Sequence, residues 1–348
     1  MRLSICIPTY NFGAFIGETL ESILPQVEDG VEVVVLDGGS NDDTTVVVES
    51  FQQRYPSLRY KRRDERGGID RDIPRTVDMA GGEYCWLFGA DDVMKPGAIR
   101  QMLKNLDSGC DVYLSGLTLC TFDMRPLGDH RVSRIKTESQ FDLGQSRDRG
   151  NYFRLAHTTP AFFSFLGSLT FKKSRWDAIG LDEEFVGSLW AHVARFFQMI
   201  PGGLRLHYLP AAYVLKRIEN DSFMDQGLLH RYAMAIDGYN RLARTCFPDG
   251  SLETRHVRRA VTNEFPPWLL LGLKFTSERE CPEDVPAVDR LAAKAYGDRT
   301  PRNLLYRLTY RYTPRPAFRA AQVANRLARS IAASIMKPPP PGPPAAAR

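Results

Sequence analysis

Apolar and polar positions alternate in blocks along the first third of the chain. Leu3–Ile7 is a short apolar run of the kind that forms a strand buried on both faces. Phe12, Phe15, Ile16, Leu20, Ile23 and Leu24 then recur at helical spacing. The same alternation predicts strands at Val31–Leu36, Leu58–Lys61, Tyr84–Phe88 and Asp111–Leu117. Between them it predicts helices at Thr44–Phe51, Ile69–Met79 and Pro96–Leu106, with Pro96 suited to a first turn. Strands joined through helices need crossover connections, so this is an α/β pattern with a mainly parallel sheet and helices on both faces. Residues 118–222 mix short strands with one helix, Leu189–Ile200. From about Phe223 the pattern is helical: Leu228–Cys246, Leu252–Phe275, Pro286–Tyr296, and Asn303–Ile335 with interruptions near Pro314 and Pro316. Lys337–Pro344 predicts an extended, disordered tail. The expected organisation is an α/β domain over 1–222, a helical C-terminal extension over 223–336, and a Pro-rich tail over 337–348.

Composition adds a compartment and a surface. With 43% hydrophobic and 25% charged residues, the chain reads as an ordinary globular protein. Pro8 cuts the first apolar run too early for a secretory signal, and no stretch reaches the ~20 apolar residues of a membrane span. Six scattered cysteines without a C-x-x-C pair read as reduced thiols, which points to the cytoplasm. The net charge of +5 is unevenly spread: after Asp298 there is no acidic residue and there are ten basic ones. Leu304–Tyr312 interleaves apolar, aromatic and basic residues, and Val323, Leu327, Ile331 and Ile335 recur every fourth position. Such helices lie in a headgroup plane or pack on a core or partner; peripheral contact with a membrane is the expectation. No recognised nucleic-acid module accompanies the charge, and nucleic acid is not an expected partner.

In mainly parallel sheets, ligands bind beyond the carboxyl ends of the strands. Polar clusters sit at those ends: Pro8–Asn11, Asp37–Asp43 and Gly89–Asp92. Asp37 there either accepts a hydrogen bond from a pyrimidine base or caps the following turn. Asp91 and Asp92 suit a Mg2+ or Mn2+ ion shared with a diphosphate, or again a helix cap. G-x-G-x-x-G is absent, which argues against a dinucleotide-dependent oxidoreductase.

Three segments carry a resemblance. Ser4–Asn11 resembles the opening of family-2 glycosyltransferases, Val34–Thr44 resembles that family's second-strand motif, and Gly81–Asp92 resembles the run into its metal-binding D-x-D. Ile69–Asp72 with Tyr84–Phe88 is most similar to abequosyltransferase-type enzymes of O-antigen assembly. The resemblance implies a GT-A fold and a nucleotide-sugar donor. It implies that Pro8, Thr9, Tyr10 and Asn11 cradle base and ribose, Asp37 holds the base, and Asp91 ligates the metal. Asp70 and Arg71 would line the ribose and diphosphate pocket, or form a helix start with a surface ion pair. Lys216 or Arg217 would face the diphosphate, or remain solvated. This donor site requires Asp37 and Asp91 to converge on one pocket.

The sequence departs from the family twice. Gly89 stands at the first acidic position of the D-x-D. The acidic pair that usually supplies the base falls in register on Ser188 and Leu189, leaving His192, Asp182 and Glu183 as candidates for deprotonating the acceptor hydroxyl. Two functions remain open. One is transfer of a sugar to a saccharide acceptor, expected on a polyprenyl-diphosphate carrier at the cytoplasmic face of the membrane; the other is a non-catalytic module that binds nucleotide sugar or glycan.

Overall fold

The computed structural model describes residues 1–220 and 227–324. The expected junction after residue 222 and the Pro-rich tail lie outside the described residues, as do the last turns of the predicted helix ending at Ile335. In chain order the elements begin β1 (Leu3–Thr9), α1 (Gly13–Ile23), β2 (Val31–Asp37), α2 (Thr44–Gln52), β3 (Leu58–Arg62), α3 (Ile69–Met79) and β4 (Tyr84–Leu87). They continue β5 (Val93–Met94), α4 (Ala98–Asn105), β6 (Val112–Cys120), β7 (Pro126–Asp129), β8 (Ser139–Asp142), α5 (Ser146–Leu155), β9 (Leu169–Lys172) and α6 (Lys173–Asp177). Then follow α7 (Ala191–Met199), β10 (Arg205–Arg217), α8 (Gly227–Cys246), α9 (Leu252–Glu264), α10 (Pro267–Glu280), α11 (Val285–Ala295) and α12 (Pro301–Tyr312). A further helical segment spans 315–324.

The chain divides into two compact units, Met1–Phe265 and a second that begins at Pro266. In the first, one sheet has the order β3-β2-β1-β4-β9-β6-β10-β5, with β7 on β6 and β8 on β10. β1 to β4 pair in parallel, β9 enters antiparallel between β4 and β6, and β10 runs parallel to β6. Six strands (β1 to β4, β6 and β10) thus share one direction, and their carboxyl ends form one edge. Every residue of β1 and β2 is buried, which is why both read as largely apolar, with Ser4 and Glu32 as the buried polar exceptions near their starts. α1 packs on α2, α3 packs on β1, β2 and α7, and α8 and α9 pack with α7 and α5 as part of this unit.

Two predicted helices are drawn differently in the structure. Leu252–Phe275 is two helices, because Pro266 and Pro267 stop α9 and open α10, where a missing N–H costs nothing. The helix expected from Leu189 starts at Ala191: Leu189 has φ 69°, and Trp190 is the residue before the first turn.

At the amino edge of the sheet, away from the strand tips, Glu32 ties β1, β2 and β3 to the turn that leads into β4. It accepts from the Ser4 hydroxyl (2.7 Å), the Gly81 N–H (2.6 Å) and Arg59 (3.1 Å), and Ser4 in turn accepts from the Gly82 N–H (2.9 Å). Burial alone would raise its carboxyl, but Ser4, Gly81 and Arg59 outweigh burial and hold it below the ordinary value. Its contribution to stability is therefore complete above the unfolded pKa of about 4.3 and is lost as pH falls through the lower folded value. Glu32→Ala should cost about 2–4 kcal/mol in urea unfolding at neutral pH. The gap to wild type should close on acidification; a constant gap would remove the ionised carboxylate from the account.

Candidate functional site

The tips of β1 and β2 are knotted together by side chains. Asp37 is fully buried; its Oδ1 accepts from the N–H (2.8 Å) and hydroxyl (2.7 Å) of Ser40, and its Oδ2 accepts from the Tyr60 hydroxyl (2.9 Å) and weakly from Thr45 (3.4 Å). Ser40 passes the restraint on, because its hydroxyl accepts from the Asn11 N–H (2.8 Å) while Asn11 accepts from the Asn41 N–H (2.9 Å). Asn11 is held at φ 57°, a conformation that Asn tolerates better than most residues. Of the two readings of Asp37, these bonds match the one in which it caps the following turn, and Asp37 is not among the residues that line the cleft beside β1 and β4.

The cleft itself, of about 220 Å³, opens beside β1 and β4. One wall is Pro8, Thr9 and Tyr10; Gly68, Ile69 and Asp72 form a second, and Gly89, Ala90 and Asp91 a third. Thr9 keeps its hydroxyl buried without a partner, an unmet hydrogen bond at the cleft wall. The Arg66 guanidinium lies 4.4 Å over the Tyr10 ring. Asp91 lines the cleft with the β1 motif and Asp37 does not, so the two acids do not converge on this cavity in the way the sequence reading required.

Asp72 also lines the cleft, and the sequence reading did not single it out. It is buried, 3.3 Å from Arg75, and burial pushes its carboxyl above the ordinary value against the pull of Arg75, Arg63 and Arg66. A Cβ on Gly38 would stand 2.6 Å from its Oδ2, so the glycine after Asp37 makes room for this carboxylate. The available signal was Asp70-x-Asp72 in a helix's first turn, where residues two apart face different ways.

Asp70 itself faces away. It accepts from the N–H groups of Gly187 (2.8 Å), Leu189 (2.9 Å) and Ala191 (3.2 Å), fastening α3 to the entry of α7. Arg71 makes a two-pronged, exposed ion pair with Glu183 at 2.6 and 3.0 Å, which matches the surface-pair alternative for Arg71. Asp182 caps the turn after it through the Glu184 N–H (3.0 Å) and accepts from Gln198 (2.8 Å). His192 is buried beside Trp190, its ring nitrogens without hydrogen-bond partners, and burial lowers its pKa to about 4. None of these five lines the cleft.

Asp91 and Asp92 are adjacent but divided in role. Asp91 faces the cleft and accepts from the Asn220 amide (2.9 Å); burial raises its carboxyl. Asp92 is buried, accepts from the Arg217 N–H (3.1 Å), and is pushed up to about 8 by burial and by Asp91. Asp92 is not among the residues that line the cleft. A Cβ on Gly89 would lie 2.7 Å from the Asp92 Oδ2 and 3.3 Å from the Asp91 Oδ1. Arg217 is likewise spent: it donates to the Asp91 carbonyl (3.0 Å), to the Phe122 carbonyl and to Glu18. Lys216 lies 5.0 Å over Phe165. Among the described residues no group of three or more His, Cys, Asp or Glu could hold a metal unaided.

Comparison with known proteins agrees with this architecture. Residues 4–167 match the model of glycosyl transferase family 2. The abequosyltransferase RfbV of Salmonella typhimurium is 30% identical over 279 residues, covering 78% of this chain and 83% of its own. A Campylobacter jejuni GalNAc(5)-diNAcBac-PP-undecaprenol beta-1,3-glucosyltransferase is 23% identical, with 70% and 73% covered. Among solved structures, Staphylococcus aureus TarS with UDP-GlcNAc superposes at a TM-score of 0.59 (17% identity; 85% and 81% covered). The Pyrobaculum calidifontis mannosyltransferase PcManGT with GDP-Man and Mn2+ does so at 0.53 (20% identity; 95% and 80% covered). A mainly parallel sheet with its cleft at the β1 and β4 tips, a family match over the same strands and a 30% identical relative spanning most of both chains lead to one assignment: the protein belongs to glycosyl transferase family 2, with a GT-A-like α/β fold and C-terminal helices.

Proposed function

We propose that this glycosyltransferase moves a sugar from a nucleoside-diphosphate donor to a saccharide hydroxyl, on a lipid-carried glycan of a surface polysaccharide. The observation that carries this reading is the joint placement of the Tyr10 ring, the partnerless Thr9 hydroxyl and the Asp91 carboxylate in one cleft. Tyr10 offers a face for a base, Thr9 a hydrogen bond to the donor, and Asp91 a charge at the phosphate end. Asp72, which lines the same cleft, would be a carboxylate able to accept from a base or ribose, alongside the base contact expected of Asp37. Asp70 and Arg71 instead anchor the 183–191 segment, outside the lining of the cleft.

A divalent cation, Mg2+ or Mn2+, fits here as a group shared with the donor. Asp91 would be its protein ligand, diphosphate oxygens and water completing the shell, which suits a hard cation that keeps waters. When bound, it supplies neutralisation of the charge that develops on the leaving nucleoside diphosphate. Asp92, buried and engaged, takes no part.

The relatives named for abequose transfer and for an undecaprenol-linked glycan support a polyprenyl-diphosphate-linked acceptor and work at the cytoplasmic face of the membrane. No described helix is long and apolar enough to cross a bilayer, so contact would come from the basic helical region after residue 223. A second reading, binding of a nucleotide sugar without turnover, is favoured by Gly89 and by the protein partners of Asp182 and Glu183.

Asp91→Ala should lower Mn2+-dependent release of nucleoside diphosphate by roughly 100-fold or more while circular dichroism is unchanged. Undiminished turnover would remove Asp91 from the site, and wild-type nucleotide binding without any turnover on lipid-linked acceptors would favour the second reading. Asp70→Asn should instead cost about 2–4 kcal/mol of stability and leave nucleotide Kd unchanged. Weakened nucleotide binding at full stability would put Asp70 back in the pocket.

A further inference from the structure

The helix α12 is built with its polarity reversed. Thr300 caps it, its hydroxyl accepting from the Asn303 N–H (3.1 Å), and Pro301 opens it. The side that packs within the second unit carries polar groups. Asn303 is buried, the Tyr306 ring meets Tyr296 at 5.5 Å, and the Tyr310 hydroxyl donates to Asp289 (2.7 Å), which also pairs with Lys274 (2.8 Å). The side that faces outward carries the large apolar ones. Leu304 is 49% exposed, Leu305 61%, Leu308 46% and Tyr312 67%.

At about 100° per residue, Leu304, Leu305, Leu308 and Tyr312 share one arc of roughly 100°, opposite Asn303, Tyr306 and Tyr310. Arg307 and Arg311, both exposed, border that arc on one side, and Arg302, donating to Tyr306 (2.8 Å), borders it on the other. A helix on the surface of a soluble protein shows the opposite arrangement, with leucines in and charges out. A contiguous apolar stripe rimmed by arginines is the chemistry of an interfacial helix, whose leucines enter the acyl region while its cations meet anionic headgroups.

We propose that α12 docks the protein on an anionic bilayer. Leu304, Leu305, Leu308 and Tyr312 are the inserted groups, and Arg307 and Arg311 bind lipid phosphates. Charge complementarity selects this occupant: from Asp298 to the end of the sequence ten basic residues follow and no acidic one, a balance that suits a negatively charged leaflet. A helix of 12 residues is only about 18 Å long, well short of the bilayer core, so it lies flat in the interface. The inference rests on the reading of a membrane-surface enzyme and names the element and the lipid chemistry responsible. It does not depend on the transfer step.

The full-length chain would be floated with vesicles of phosphatidylcholine and phosphatidylglycerol in equal parts, and with pure phosphatidylcholine. The wild type should float with the first, with binding weakened by high salt, and remain behind with the second. Leu305→Asp with Leu308→Asp should reduce flotation about tenfold, and Arg307→Glu with Arg311→Glu should abolish the preference for the anionic lipid. Melting temperature and donor turnover on a soluble acceptor should stay at wild-type values, because all four side chains are exposed. Undiminished flotation of the leucine variant overturns the proposal. So does a wild type that ignores both vesicles yet turns donor over, which leaves the transferase reading standing. A wild-type dimer that the leucine variant breaks into monomers also overturns it, since the stripe would then join two copies of this chain.

Discussion

Removing Asp37 from water is what allows two strand tips to behave as one surface. A buried carboxylate must find donors for both oxygens, and here Ser40, Tyr60 and Thr45 supply them. Ser40 is thereby fixed, and with it the left-handed Asn11 that turns the chain out of β1. The cleft wall of Pro8, Thr9 and Tyr10 inherits its position from this chain of bonds. No residue in the relay needs to touch a ligand for the ligand's surroundings to depend on it.

The same division of labour recurs around the cleft. Asp70 and Asp72 are two residues apart, one fastening the α7 entry through three backbone N–H groups and the other facing the cavity. Asp91 and Asp92 are neighbours, one facing the cavity and the other buried under β10. In each pair the inward carboxylate satisfies backbone donors at chain ends or turns, where such donors are otherwise unpaired. The outward one is left with capacity for a substrate. Arg217 completes the arrangement by joining the end of β10 to the Asp91 carbonyl and to Glu18 of α1.

Much of this was legible in the sequence, for reasons that can be named. β1 and β2 are covered on both faces, so their apolar runs have no competing interpretation. α3 carries its pattern from Ile69 to Met79, and the structure gives the same bounds. What escaped was non-local. Arg71 meets Glu183 across 112 positions, and Asp70 reaches the 187–191 loop over a similar distance. No local pattern announces such pairings, so the sequence left Asp70 and Arg71 open between the pocket and a helix start with a surface ion pair, and offered Glu183 as a candidate base without its partner. β9 was hidden for a related reason: four residues carry little periodicity, and its antiparallel place between β4 and β6 is a matter of topology.

Gly89 also sets what the end of β4 can carry. A Cβ there would stand 2.7 Å from the Asp92 Oδ2 and 3.3 Å from the Asp91 Oδ1, both of them side-chain ends that can turn. Any side chain at this position therefore has to rotate the Asp92 carboxylate, whose other oxygen accepts from the Arg217 N–H. The bare backbone at residue 89 is thus coupled to how firmly the far end of β10 is held.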